Sequence, residues 1–219
     1  MKRFGLAPDE YYHICNRGVN KQTIFHDKGD FYRFLFLILY FQSQTNFSKV
    51  GRAVQEFVQH PMLDIVDEVI EKRTVELVAF CIMPNHFHLI LKEVEDHGVS
   101  LYMQRILNAY GKYYNTKYER SGHVFQGPYR AVHVTNDSQL LYLSSYVHRN
   151  PREISRWTNR EDQYEWSSYQ DFIAKDRWGS LLLSEIILGQ FKNKERYKEF
   201  VKTSPAKLFE GELEYLATL

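Results

Sequence analysis

The sequence predicts an α+β fold built on a four-stranded antiparallel sheet. Three observations carry this: four short stretches rich in β-branched and aromatic residues, three longer ones with apolar residues at helical spacing, and their order, β-α-β-β-α-β-α. The first strand is YYHICN, residues 11–16, where His13 alternates with Tyr11 and Cys15 and Arg17-Gly18 signals a turn. A helix follows over residues 30–44, with Asp27 or Asp30 as its N-cap and Phe31, Phe34, Leu35, Ile38 and Leu39 on its core side. Residues 45–73 are polar, carry Gly51 and Pro61, and read as an insertion with one or two short helices.

VELVAFCIM, residues 75–83, and HFHLILKEV, residues 86–94, are strand-like runs joined by the turn pair Pro84-Asn85, which makes them a hairpin. A helix over residues 100–118 places Leu101, Ile106, Leu107, Tyr110 and Tyr114 inward and a basic face outward, with Gly122 as its stop signal. Residues 129–134 form the fourth strand, and Asn136 or Asp137 caps a helix that Pro151 stops after Asn150. Four strands divided this way around two helices give the ferredoxin-like arrangement, with those helices on one face of the sheet. The remaining helix and a C-terminal helical extension, including residues 181–200 and 205–219, are added to it. The expected organisation is one domain over residues 1–151, carrying the insertion, and an extension over 152–219.

With 219 residues, of which 44% are hydrophobic and 16% aromatic, the chain has enough apolar surface for one sizeable core. Its greasiest stretch, residues 31–41, contains Arg33 and is too short to span a bilayer, which argues against a membrane partner. The opening MKRFGLAPDEYY has no apolar signal core, and Cys15 and Cys81 lie in apolar runs as reduced core residues do. A cytoplasmic location is the expectation. The net charge is only +1, but residues 100–160 hold nine Lys or Arg against three acids, leaving the remainder at −5. Charge so unevenly divided suits a protein with one polyanion-binding face, although an ordinary solvated surface is the bland alternative.

The most informative feature is His86-Phe87-His88 at the head of the third strand. Side chains two apart on a strand share a face, so both imidazoles converge, as ligands of a divalent cation do. About sixty residues on, Tyr146 and Asn150 are spaced i, i+4 on a helix and can face one site. A cation beside a tyrosine suggests phosphoryl transfer, with the phenol as nucleophile. Two imidazoles and an amide oxygen leave positions open for phosphate and water, which suits Mg2+ or Mn2+ better than a closed zinc site. Each element also has a plain structural reading: His-x-His as packing, Tyr146 as core, and Asn150 as a helix end because the residue before proline leaves the α region.

MPNHFHLIL, then GHVFQGPYR, then LLYLSSYVHRNP together resemble the single-tyrosine transposases of the HUH type, in the insertion-sequence 200-like superfamily, and especially the REP-associated tyrosine transposases. The resemblance covers roughly residues 11–150, includes the early YHICNRG with Ile24-Phe25, and extends to the later WSSY at 166–169. It implies that His86 and His88 are the metal-binding pair, that Tyr146 is the nucleophile, and that Asn150 completes the coordination. It also implies metal-dependent cleavage of single-stranded DNA near hairpin or palindromic ends, through a 5′-phosphotyrosine link and a free 3′-hydroxyl.

DNA contacts are expected from Lys112, Lys117, Arg130, Arg149 and Arg152, with Tyr113 or His148 stacking on bases and Arg17 and Lys21 at the first turn. Two departures from the family pattern bear on sequence preference: Arg152-Glu153-Ile154-Ser155 follows Asn150-Pro151 where Val-Arg-Ala-Gly is common, and Pro128 replaces a basic or polar residue. Relatives act as monomers or as homodimers that exchange the tyrosine helix. Two other functions are compatible with the same residues: a domesticated hairpin-binding protein that has lost cleavage, and a metal phosphoesterase that uses water.

Overall fold

The computed structural model describes residues 6–205, so the helix expected over 205–219 lies almost wholly outside the described residues. Its four strands are β1 (Tyr11–Arg17), β2 (Val75–Met83), β3 (His86–Glu93) and β4 (Arg130–Val134), all antiparallel in the order β2-β3-β1-β4. That is the expected ferredoxin-like order. Helix α1 (Lys28–Tyr40) joins β1 to the β2–β3 hairpin, and α4 (Gly98–Lys117) joins β3 to β4. Both cover one face, where Phe34 of α1 packs on Phe87 of β3 and on Tyr110 of α4. Helix α5 (Asp137–Arg149) lies across the opposite face, the one that carries His13, Cys15, His86 and His88.

Local signals set the helix starts. Asp27 caps α1 by accepting the Asp30 N–H at 3.1 Å, while the Asp30 carboxylate accepts the Asp27 N–H in return, a capping box. Asn136 caps α5 by accepting the Gln139 N–H at 2.9 Å. At the end of α5 the structure departs from the pre-proline rule: Asn150 keeps α-region dihedrals, φ −49° and ψ −38°. The chain runs on as a 3-10 turn over Asn150–Glu153, with Pro151 in its first turn, where the missing N–H costs nothing. The side chain of Asn150 therefore stays on the face of Tyr146.

The insertion has a role that its polar composition concealed. From Phe34 to Tyr40 every residue of α1 is buried, so the helix needs cover on its outer side too. Helix α2 (Val50–Gln59) and the loop before it supply that cover, setting Phe47 and Phe57 against Phe36 and Tyr40. Helix α3 (Val66–Glu71) then leads into β2.

The extension is shorter in its helices than expected. In place of a helical run over 181–200 it has α7 (Glu185–Leu188) and α8 (Lys194–Thr203), preceded by α6 (Tyr169–Ile173). It packs onto the domain and closes the outer edge of β2: the Ile82 N–H donates to the Trp166 carbonyl at 2.9 Å, the Ser168 N–H to Phe80 at 3.0 Å and the Leu183 N–H to Leu77 at 2.7 Å. This explains why all nine residues of β2 are buried although it ends the sheet. Trp166 also stacks on Phe31 of α1 with ring centres 4.7 Å apart.

Because the extension shares this core, Trp166→Ala should cost about 3–5 kcal/mol and leave a single cooperative unfolding transition in urea. Two separated transitions would show instead that the extension folds as a unit of its own.

Candidate functional site

The β1–β3 register builds the site floor. Cys15 lies opposite His88 and Arg17 opposite His86, so these side chains, with His13 two residues before Cys15, share one face. Tyr146 comes down from α5 onto this floor, half-buried and edge-on to both rings, with centres 5.3 Å from His88 and 6.0 Å from His13. The rings of His86 and His88 are 5.1 Å apart and nearly perpendicular. All four residues singled out in the sequence, His86, His88, Tyr146 and Asn150, are thus brought together.

The polar contacts at His86 have a definite direction. The Asn85 amide nitrogen donates to the Lys21 carbonyl at 3.2 Å, which turns the Asn85 Oδ1 toward His86 Nδ1 at 2.7 Å. An oxygen there only accepts, so Nδ1 carries the proton and Nε2 of the neutral ring holds a lone pair. On the other side the Asn150 amide nitrogen donates to the Tyr146 carbonyl at 3.0 Å, leaving its Oδ1 3.3 Å from His86 Nε2. Two acceptors therefore face each other. Burial lowers the His86 pKa, the Asn150 oxygen, which could accept from a protonated ring, raises it, and the nearby Arg17 charge lowers it again; the net shift is downward and disfavours settling the conflict with a proton. A cation between nitrogen and oxygen relieves it, and 3.3 Å is ordinary spacing for neighbouring ligands of one ion. The donor set thus fits a divalent metal, which His86, His88 and Asn150 could hold.

His13, which the sequence reading left without a role, completes the cluster. Its Nε2 meets His88 Nδ1 at 2.9 Å with the rings stacked 5.1 Å apart. Alternation with Cys15, combined with the ferredoxin-like order that sets β1 beside β3, was the signal available for it. Burial depresses the His13 pKa to about 4, and burial, then the charges of His86 and His13, lower His88 well below the ordinary value of 6.5. Cys15 is pushed up by burial, against the opposing pull of Arg130 and Arg17.

The expected DNA contacts divide. Arg17 and Arg130 are exposed and on the site face, Arg17 beside His86 and Arg130 opposite Cys15, while Lys21 is exposed on the loop after β1. Lys112, Tyr113 and Lys117 are on α4, across the sheet from the histidines. Lys112 is exposed there, but Lys117 is bound by Asp27 and Asp30, each at 2.7 Å, and Tyr113 donates to Asp30 at 2.9 Å with Arg33 and Lys117 over its ring. Tyr113 is half-buried, with Arg33 4.9 Å and Lys117 5.5 Å from its ring centre, so a base would compete with these cations for its ring. The expected stacking by His148 is corrected. Two residues beyond Tyr146, the helix turns it away from the site and buries it completely, its Nδ1 2.6 Å from the Tyr197 hydroxyl and its Nε2 2.9 Å from Ser168 Oγ. Arg149 donates to the Ser204 carbonyl and Arg152 pairs with Glu161, so both are engaged within the chain.

Two comparisons with known proteins found a similarity. Residues 48–150 match the family model described as Transposase IS200 like, a stretch that contains His86, His88, Tyr146 and Asn150 but not His13. Over that stretch the chain is similar to these transposases. A solved structure of a REP-associated tyrosine transposase bound to a REP hairpin has the same fold, with a TM-score of 0.53 and 12% identity over 80% of this chain and 85% of that one. No curated protein matches. Among the described residues no helix is long and apolar enough to cross a membrane.

The depressed imidazoles make stability pH-dependent. The unfolded chain takes up protons as pH falls through 6.5, while folded His13 resists until about 4 and His148 until about 3. Stability of the metal-free protein is thus full above the unfolded value and should drop across that window. Urea midpoints measured at pH ~7.5, ~6 and ~5 should fall in that order; a flat series would contradict the buried neutral rings.

Proposed function

We propose that this protein is a metal-dependent single-stranded DNA transposase that cuts near hairpin or palindromic ends through a tyrosine nucleophile. The observation that carries this reading is the confrontation of His86 Nε2 and Asn150 Oδ1 beside Tyr146, a donor set that fits a cation next to a phenol. Similarity to the transposase family over residues 48–150 supports it, as does the hairpin bound to the structural neighbour. His86, His88 and Asn150 would hold Mg2+ or Mn2+, which when bound supplies charge neutralisation and polarisation of the scissile phosphate.

In this reading Tyr146 attacks phosphorus after giving up its phenolic proton to solvent. The Oη–P bond forms as the bond from phosphorus to the 3′ oxygen breaks, and that oxygen leaves as a hydroxyl after taking up a proton. The link is a 5′-phosphotyrosine, an ester of a phenol with a reference pKa of about 10, and a second 3′-hydroxyl can displace it to rejoin strands. Arg17 and Arg130, exposed on the site face, would position phosphates, and Lys21 flanks them. Residues 1–151 would carry this chemistry, with 152–219 as an extension, in the cytoplasm, as a monomer or a homodimer.

Labelled hairpin DNA incubated with the protein and Mg2+ or Mn2+ tests this on a denaturing gel. A covalent adduct is expected from the native protein. Tyr146→Phe should lower adduct formation by at least about 10³-fold while hairpin affinity changes less than about threefold. Binding without cleavage would identify a hairpin-binding protein, and cleavage without an adduct a water-using phosphoesterase. Replacing both His86 and His88 with Ala should abolish metal-stimulated cleavage; undiminished cleavage would exclude them as ligands.

A further inference from the structure

We infer that His13 is a positioning residue for His88: it accepts a hydrogen bond from His88 Nδ1 and thereby holds His88 in the tautomer whose Nε2 can bind a metal. The inference rests on the metal site just proposed. Metal-bound histidines usually donate their second ring N–H to a carboxylate, a carbonyl or water, which fixes ring orientation and tautomer. At His88 the partner is another imidazole, His13 Nε2, 2.9 Å from His88 Nδ1. His13 is only 4% exposed and His88 7%, so water does not readily substitute for either.

The protons in this pair are coupled. One proton lies between the two nitrogens and belongs either to His88 Nδ1 or to His13 Nε2. When it belongs to His88, His88 Nε2 keeps its lone pair, and neutral His13 must carry its own proton on Nδ1. When it belongs to His13, His88 carries its proton on Nε2 and cannot coordinate there. His13 Nδ1 is buried and finds no hydrogen-bond partner among the described residues, so nothing on that side of the ring selects one arrangement. Selection is left to His88, and a cation at Nε2 draws both rings into the first arrangement. A neutral relay also avoids the buried negative charge that a carboxylate would bring to this position.

His13, Cys15 and His88 also form a compact set of ligand-type atoms, all within 4.8 Å of one another. The 2.9 Å contact between His13 Nε2 and His88 Nδ1 is a hydrogen bond, and it occupies one ring nitrogen of each of these two residues. The cluster serves as support for His88.

Mn2+ affinity, measured by titration calorimetry or by the electron spin resonance of free ion, tests this without reference to cleavage. Native protein should bind Mn2+ and His86→Ala should lose it. His13→Leu should weaken binding by about 10–100-fold, while His13→Gln, whose amide oxygen can accept the His88 Nδ1 proton, should stay within about threefold of native. Native-like binding by His13→Leu alongside loss in His86→Ala would overturn the role of His13 and leave the metal site standing. Absence of binding in native protein, or its survival in His86→Ala, would overturn the metal reading and this inference with it. If His13→Leu does not fold, ring 15N spectra of the native protein with Mg2+ decide the matter: a proton on His88 Nδ1 is expected, and one on Nε2 would overturn the inference.

Discussion

The antiparallel register of β1 against β3 is the constraint on which the site depends. Side chains alternate along a strand with a period of two, so a slip of one residue would send His13 or the His86–His88 pair to the opposite face. The core prevents that slip. Ile14 and Phe87, the neighbours of these histidines, are fully buried under α1 and α4, and moving them to the site face would empty the centre of the domain. Gly18 adds a second restraint at the end of β1: its N–H donates to the Asn85 carbonyl at 2.8 Å, and a Cβ there would sit 2.3 Å from the Gln22 carbonyl oxygen. The turn between β2 and β3 is thereby tied to the loop after β1, and Asn85 is held where its side chain can orient His86.

Most of the fold was legible because each element carries both a periodic pattern and a punctuation signal. The strands over Val75–Met83 and the Asp27 cap of α1 are clear in sequence for this reason. What was not legible depends on contacts between distant segments. The polar insertion gave no hint that Phe47 and Phe57 would cover α1, because isolated aromatic residues in a hydrophilic stretch look like ordinary surface. The covered edge of β2 is likewise made by backbone groups of residues 166–168 and 183, and backbone pairing leaves little trace in side-chain identity. At the site, His86, His88, Tyr146 and Asn150 stood out because short spacings reveal a shared face. His13 did not, since its partner is seventy-five residues away. Basic residues were the least readable: charge says that a side chain can bind phosphate, not whether Asp30 or Glu161 already holds it.

The site joins two environments that pull on its imidazoles in the same direction. Desolvation favours neutral rings, the form a cation would require, at a pH where free histidine is partly protonated. The guanidinium of Arg17 reinforces this at His86 by disfavouring further positive charge beside it. The charges of Arg17 and Arg130 stay exposed to solvent at the rim, where an anion can reach them.

Helix α5 is gripped on the side away from the histidines by a chain of hydroxyl and imidazole groups. Tyr197 donates to Ser144 Oγ at 3.0 Å, which leaves its oxygen to accept from His148 Nδ1, while His148 Nε2 accepts from Ser168. Ser144 and His148 belong to α5, and Ser168 and Tyr197 to the segment that follows it. Lifting the helix out of its own subunit would part Ser144 and His148 from Tyr197 and Ser168, at about 1–3 kcal/mol for each polar group left unsatisfied in a dry interior. A helix anchored from behind by its own chain is costly to lend to a neighbour, which keeps Tyr146 over the histidines of its own chain.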